Sequence, residues 1–134
     1  MKKLLLLFML CLCTVSSAQY SNVQSKNGYA TYYSVKSNGG TRTASGIPLS
    51  DSALTAASCH YALGSIVRVT NPKNGKSVDV KITDRGPFAK SSNGVLLRPL
   101  RPHSKLIMDL SVAAARRIYS LEIGVIEVKT YKIK

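Results

Sequence analysis

Ile66-Val67-Arg68-Val69-Thr70-Asn71-Pro72-Lys73-Asn74-Gly75-Lys76-Ser77-Val78-Asp79-Val80-Lys81-Ile82-Thr83-Asp84-Arg85-Gly86-Pro87 is the stretch that decides the fold. Residues 66–70 and 77–83 are two β-branched, alternating runs. Asn74-Gly75 between them tolerates the positive φ angles that a tight hairpin turn requires. In the second run Val78, Val80 and Ile82 share one face, while Ser77, Asp79, Lys81 and Thr83 share the other. The chain then leaves the sheet through Asp84-Arg85-Gly86-Pro87, a turn that aims side chains out of the sheet end.

Outward from this hairpin the pattern stays β-rich. Gly28-Tyr29-Ala30-Thr31-Tyr32-Tyr33 reads as a strand. Residues 37–40 read as a turn, 41–47 as loop with short extended pieces, and 52–58 as a helical turn or irregular chain. Residues 89–107 are loop-like, with Pro99 and Pro102 opposing regular structure. Ser111 is placed to cap a short helix from Val112 to about Tyr119, helped by three alanines. Residues 125–133 form a last strand, whose alternation slips between Val128 and Tyr131 and predicts a bulge. There is no βαβ rhythm and no internal repeat, so the expectation is a mainly β fold, a small barrel with one or two short helices.

The first residues read as an export signal. Lys2 and Lys3 precede an apolar run, Leu4 to Val15, and Ser16-Ser17-Ala18 carries the small residues of a cleavage site before Gln19. A spanning helix needs roughly twenty apolar residues, and this run has about twelve. Cys11 and Cys13 each follow a leucine, a poor match to a lipoprotein signal, so lipid anchoring is not expected. The expected organisation is a signal peptide at 1–18, a polar linker at 19–27 and one domain at 28–133, exported to the envelope or beyond and monomeric. No transmembrane segment is expected in the mature chain. That chain keeps one cysteine, Cys59, so no internal disulfide braces it.

Nineteen basic residues stand against six acidic ones, a net charge of +13. The leader takes two lysines, leaving seventeen cations against six anions, or +11. Such a domain favours anionic partners. Export, and the lack of an arginine-rich run, zinc-finger spacing or interleaved aromatic stripe, argue against nucleic acid. Five cations and no acid fall between Arg85 and Lys105.

Carboxylate chemistry must choose among Asp51, Asp79, Asp84, Asp109, Glu122 and Glu127. Asp79 reads as a solvated strand residue beside Lys81, Asp51 as a cap of 52–58, and the two glutamates as surface. Asp84 stands at a strand end, either as a functional carboxylate or as a turn residue paired with Arg85. Asp109 follows the apolar Leu106-Ile107-Met108. It is either a carboxyl with a raised pKa, suited to a general acid, or a group at a helix N-terminus. Adjacent Cys59 and His60 rarely face each other and have no oxyanion motif. With His103 they fall short of a metal site, so neither a metal nor a cofactor is expected.

Seven blocks, in order and spacing, resemble one family. They are residues 28–33, Thr43-Ala44-Ser45-Gly46, Leu54-Thr55-Ala56-Ala57, residues 63–71, residues 74–78, Ile82-Thr83-Asp84-Arg85-Gly86-Pro87-Phe88, and residues 109–115. Together they resemble the rare lipoprotein A family, over about residues 28–130. The resemblance implies a six-stranded double-psi β-barrel and an endolytic peptidoglycan transglycosylase, cutting glycan strands without water to leave 1,6-anhydro-muramyl ends. Ordinary glycosidases use two carboxylates; an intramolecular attack can run with one, and Asp84 occupies the family aspartate as single acid and base. The family glutamate is replaced by Ile47 and the family histidine by Ser58, with His60 two residues on as a possible substitute. Asp109 joins Asp84 and His60 as the catalytic candidates; Thr31, Tyr32, Thr43 and Arg85 are the substrate-binding candidates. Expansin-like barrels, which loosen polysaccharide without lysis, are a more distant resemblance. Thr31, Asp84 and Asp109 match their pattern, but Gly86 stands where they carry tyrosine. A purely binding barrel is the remaining alternative.

Overall fold

In the computed structural model, residues 23–134 are described; the predicted signal peptide lies outside them. Six strands close into a barrel: β1 (Ser25–Tyr33), β2 (Thr55–Ala57), β3 (Ile66–Thr70), β4 (Ser77–Asp84), β5 (Leu106–Ser111) and β6 (Ile126–Lys132). Their order around the barrel is β1-β5-β2-β4-β3-β6, and β6 pairs back onto β1. The pairs β1/β5 and β2/β4 are parallel and the rest antiparallel. Strand β1 begins at Ser25, so Ser25 to Asn27, expected in the linker, belong to the sheet.

The β3–β4 hairpin forms as the sequence predicts, with Val67 opposite Val80 and Val69 opposite Val78. Arg68 and Asp79 face each other on the outer face. Arg68 holds the Asp79 carboxylate through Nε at 2.8 Å and Nη2 at 3.0 Å, so the partner of Asp79 is Arg68 rather than solvent beside Lys81. Inside, Ala30, Ala56, Val67, Val69, Val80, Ile82, Met108, Leu110 and Val128 are fully buried. Helix α2 (Val112–Ile118) packs Ala114, Ala115 and Ile118 onto this core, and Ser111 caps it by accepting from the Ala114 amide. A single helical turn, α1 (Val35–Asn38), follows β1 where the sequence predicts a plain turn.

Three expectations are corrected. Residues 55–57 are strand β2, because all three are buried between β4 and β5. Residues 106–111 are strand β5, so Asp109 lies within a sheet and not at a helix start. Strand β6 has no bulge: its alternation continues through Ile126, Val128 and Thr130, all buried. Thr130 is the inward polar residue that disguised the period. Its hydroxyl donates to the Lys26 carbonyl at 2.8 Å and accepts from the buried Tyr61 hydroxyl at 2.7 Å.

The bulges lie elsewhere. Ala56 pairs with Ile82 and Ala57 with Asp84, so Thr83 is an extra residue on β4. Tyr29 pairs with Leu106 and Ala30 with Met108, so Ile107 is an extra residue on β5. Gly28 makes room for the second bulge: a Cβ there would lie 2.7 Å from Ile107 Cγ2.

The Tyr61–Thr130 bond yields a stability prediction. Thr130→Val leaves the Tyr61 hydroxyl buried without a partner and should cost about 1–3 kcal/mol in denaturant unfolding. The double variant Thr130→Val/Tyr61→Phe should be less destabilised than the sum of the two single variants, since it removes the orphaned hydroxyl as well.

Candidate active site

A bulge shifts the side-chain alternation by one and re-aims every residue beyond it. On β4, Val78, Val80 and Ile82 point inward, and strict alternation would send Asp84 inward too. The extra Thr83 turns Asp84 out of the barrel interior. On β5, Met108 and Leu110 fill the core and Asp109 between them points the other way. Ala57 is the Cα partner of both acids, of Asp84 across β4 and of Asp109 across β5, while Thr31 of β1 pairs with Asp109 from the far side. Thr31, Asp109, Ala57 and Asp84 therefore form one row across four strands. All four line one groove of about 880 Å³.

The groove has two walls. Ser37 and Asn38 of α1 stand on one side. On the other is the β4–β5 connection, residues 85–105, which contributes Phe88, Lys90, Ser91, Leu96 and His103. This arm is ordered by its own backbone bonds: Ala89 N–H to Arg101 O at 2.8 Å, Leu97 N–H to Ala89 O at 3.1 Å, and His103 N–H to Pro87 O at 3.0 Å.

The two acids have different surroundings. Asp84 Oδ1 accepts from the backbone N–H of Ala44 and of Arg85, each at 2.9 Å, an arrangement that suits an accepting carboxylate. The Thr43–Gly46 loop secures the same segment, with Ser45 N–H bonded to the Thr83 carbonyl. Asp109 has a buried Oδ1 with no hydrogen-bond partner. Burial pushes its pKa up to about 6; Lys90 pulls it down and the negative charge of Asp84 adds to the rise. The Tyr33 hydroxyl is also buried without a partner at hydrogen-bonding geometry. Burial, then the charges of Asp84 and Asp109, raise its pKa, so it remains a neutral phenol.

The structure brings Thr31, Asp84, Arg85 and Asp109 to the groove and leaves the other candidates outside it. Tyr32 alternates away from Thr31 and packs against the core beside Tyr119, with ring centroids 6.4 Å apart. Thr43 is buried and donates to the Ile47 carbonyl at 2.6 Å, holding the loop. His60 faces away: its Nε2 is buried without a partner, and burial and then Lys26 lower its pKa. Arg85 makes no ion pair with Asp84; its guanidinium donates to the carbonyls of Tyr61, at 2.8 Å, and Ser58, at 3.4 Å. Asp51 accepts from the Val35 amide at 2.9 Å and so secures α1 rather than residues 52–58.

Sequence reasoning missed Tyr33, Lys90 and His103 in the groove. Tyr33 was accessible in principle, because it lies two residues from Thr31 on one strand and shares its face. Gly86 has φ of 113°, which a tyrosine there would not tolerate without strain. Among the described residues no group of three or more His, Cys, Asp or Glu side chains is placed to hold a metal ion.

A closed six-stranded barrel in the order β1-β5-β2-β4-β3-β6, with two parallel pairs, is of the double-psi β-barrel class. Residues 25–130 match the lytic transglycolase family, and the chain belongs to that family. It is 36% identical over 108 residues to the endolytic peptidoglycan transglycosylase RlpA of Neisseria meningitidis serogroup A, covering 81% of this chain and 39% of that protein. The chain thus spans well under half the length of the curated relatives it matches. Among solved structures, the Streptomyces papain inhibitor superposes with a TM-score of 0.58 at 24% identity, covering 81% of this chain and 93% of that one. The Clavibacter michiganensis expansin superposes with a TM-score of 0.56 at 24% identity, covering 83% and 51%. At that identity both likenesses speak for the barrel alone.

Asp109 has a folded-state pKa above its unfolded value of 3.8. Ionising it therefore costs folding free energy progressively as pH rises from about 4 through about 6. The full cost, on the order of 3 kcal/mol, applies above that window and vanishes below it. Asp109→Asn should accordingly raise the midpoint of chemical unfolding at pH 7.5 and give no comparable gain at pH 3.5.

Proposed function

We propose that this domain is an exported, endolytic peptidoglycan transglycosylase that acts in the cell envelope as a monomer. The observation that carries the reading is the pair Asp84 and Asp109, set in one row in an open groove. One is bonded to two N–H donors and the other is buried without a donor. Two carboxyls set in such contrasting environments are the usual mark of an acid and a base. Family membership over residues 25–130 and the activity named for the RlpA relatives support the same reading.

The expected single acid/base role of Asp84 is better divided. Asp109, protonated up to about pH 6, donates its proton to the glycosidic oxygen as the bond to the anomeric carbon breaks. Asp84, oriented by two N–H groups, takes the proton of the muramyl 6-hydroxyl as that oxygen attacks the same carbon. One C–O bond breaks, one forms, and no water is consumed. Thr31, paired with Asp109 and lining the groove, hydrogen-bonds sugar hydroxyls in this reading. Arg85 ties the end of β4 to the carbonyls of Ser58 and Tyr61.

A second reading rests on the groove gathering Thr31, Asp84 and Asp109, the trio that resembles the expansin pattern. In that case the barrel binds and loosens wall polymer without cutting it.

Digestion of purified sacculi with the 19–134 chain, followed by mass spectrometry, separates the two. The expected products are anhydro-muropeptides. Asp84→Asn and Asp109→Asn should each lower their yield by roughly 10²–10⁴-fold, and the wild-type rate should fall as pH rises above about 6 and Asp109 loses its proton. Retained binding to sacculi with no anhydro ends at high protein would sink the enzyme reading in favour of the loosening one. Full lysis by Asp84→Asn would remove Asp84 from the chemistry.

A further inference from the structure

The arm that joins β4 to β5 begins at one candidate acid and ends just before the other. It is rich in cations, but they do not all serve the same end. Arg85 is engaged by two backbone carbonyls. Lys90 lines the groove with Asp84 and Asp109, and its ammonium makes no hydrogen bond or ion pair among the described residues. Its position is set by the arm's own fold. Phe88 bridges Pro102 and Lys90 bridges Leu96, while the Ser91 and Val95 backbones close the turn beyond at 2.8 Å.

Asp109 needs such a neighbour. Charged and neutral groups face it from every side: Tyr33 from β1, Asp84 from β4, Tyr119 at the end of α2, and Lys90 from the arm, with Arg85 and His103 in the same groove. Tyr33 and Tyr119 are neutral phenols, and Asp84 is an anion that opposes a second negative charge. Of the two groove cations from the arm, Arg85 is held by the carbonyls of Ser58 and Tyr61, which leaves Lys90 as the one free to face Asp109.

We propose that Lys90 is a positioning residue: the arm delivers its ammonium into the groove as the countercharge of Asp109. It does not touch reacting atoms. It sets how much of Asp109 is ionised, and so the upper pH limit of whatever chemistry Asp109 performs. The inference deepens the reading of this groove as a catalytic site, and its use in catalysis rests on that reading. The electrostatic role itself does not.

The test is direct titration of the Asp109 carboxyl by ¹³C NMR in the substrate-free domain, for wild type, Lys90→Met, Lys90→Arg and Lys76→Met. Lys76 lies exposed in the β3–β4 turn, so its removal takes away one cation far from the groove. Lys90→Met should move the Asp109 titration up by about 0.5–1 pH unit, a roughly three- to tenfold change in its proton affinity. Lys90→Arg should restore it and Lys76→Met should leave it in place. Where the domain cleaves sacculi, the alkaline limb of the rate should move with the titration in Lys90→Met. An Asp109 titration unmoved by Lys90→Met, or moved equally by Lys76→Met, overturns the proposal. A shifted titration in a protein that makes no anhydro ends upholds it and overturns only the transglycosylase reading.

Discussion

Two extra residues, Thr83 on β4 and Ile107 on β5, are the constraint on which the site depends. Strict alternation would bury the Asp84 side chain in an apolar barrel, where a carboxylate is prohibitively costly. Each bulge displaces the alternation and lets both acids face one groove across Ala57. A bulge also leaves a carbonyl without its ladder partner, and a buried carbonyl must find one. Ser45 N–H satisfies Thr83, and the Ser58 hydroxyl satisfies Ile107 at 2.9 Å. The loop 43–46 and the end of β2 are thus bound to the acids through the backbone.

The same geometry explains why the carboxyls differ. Asp84 sits at a strand end, where free backbone N–H groups are at hand, and two of them bond its Oδ1. Asp109 is mid-strand, so its neighbours' amides are already committed to the sheet. It keeps a buried oxygen without a donor and a high proton affinity. Position within a strand, more than proximity to any one charge, separates an acid from a base here.

The hairpin, the helix cap at Ser111 and the strand-end position of Asp84 were legible in the sequence, because each rests on local pattern or turn chemistry. What was not legible depends on long-range pairing. Strand β2 is three residues long and gains its strand character from β4 and β5 on either side. The final strand read as bulged because Thr130 looks outward by composition, yet Tyr61, 69 residues away in the chain, makes it an inward residue. Tyr32 and Tyr33 are chemically alike, and alternation separates them only once the pairing of β1 with β5 has set Thr31 on the groove face. Asp109 stood out for a raised proton affinity, which its burial does favour, but within the wrong element.

Ser58, which the family resemblance sets at a histidine position, has structural work of its own. The residue is fully buried; its hydroxyl supports the β5 bulge, its N–H donates to the Asp84 carbonyl at 3.1 Å, and its own carbonyl receives Arg85. His60 cannot return to fill the role, since its amide already bonds the Ser58 hydroxyl at 3.1 Å and its ring lies outside the groove. In this chain the position therefore supports the acids instead of joining them. The titratable side chains that do line the groove with Asp84 and Asp109 are Tyr33, Arg85, Lys90 and His103.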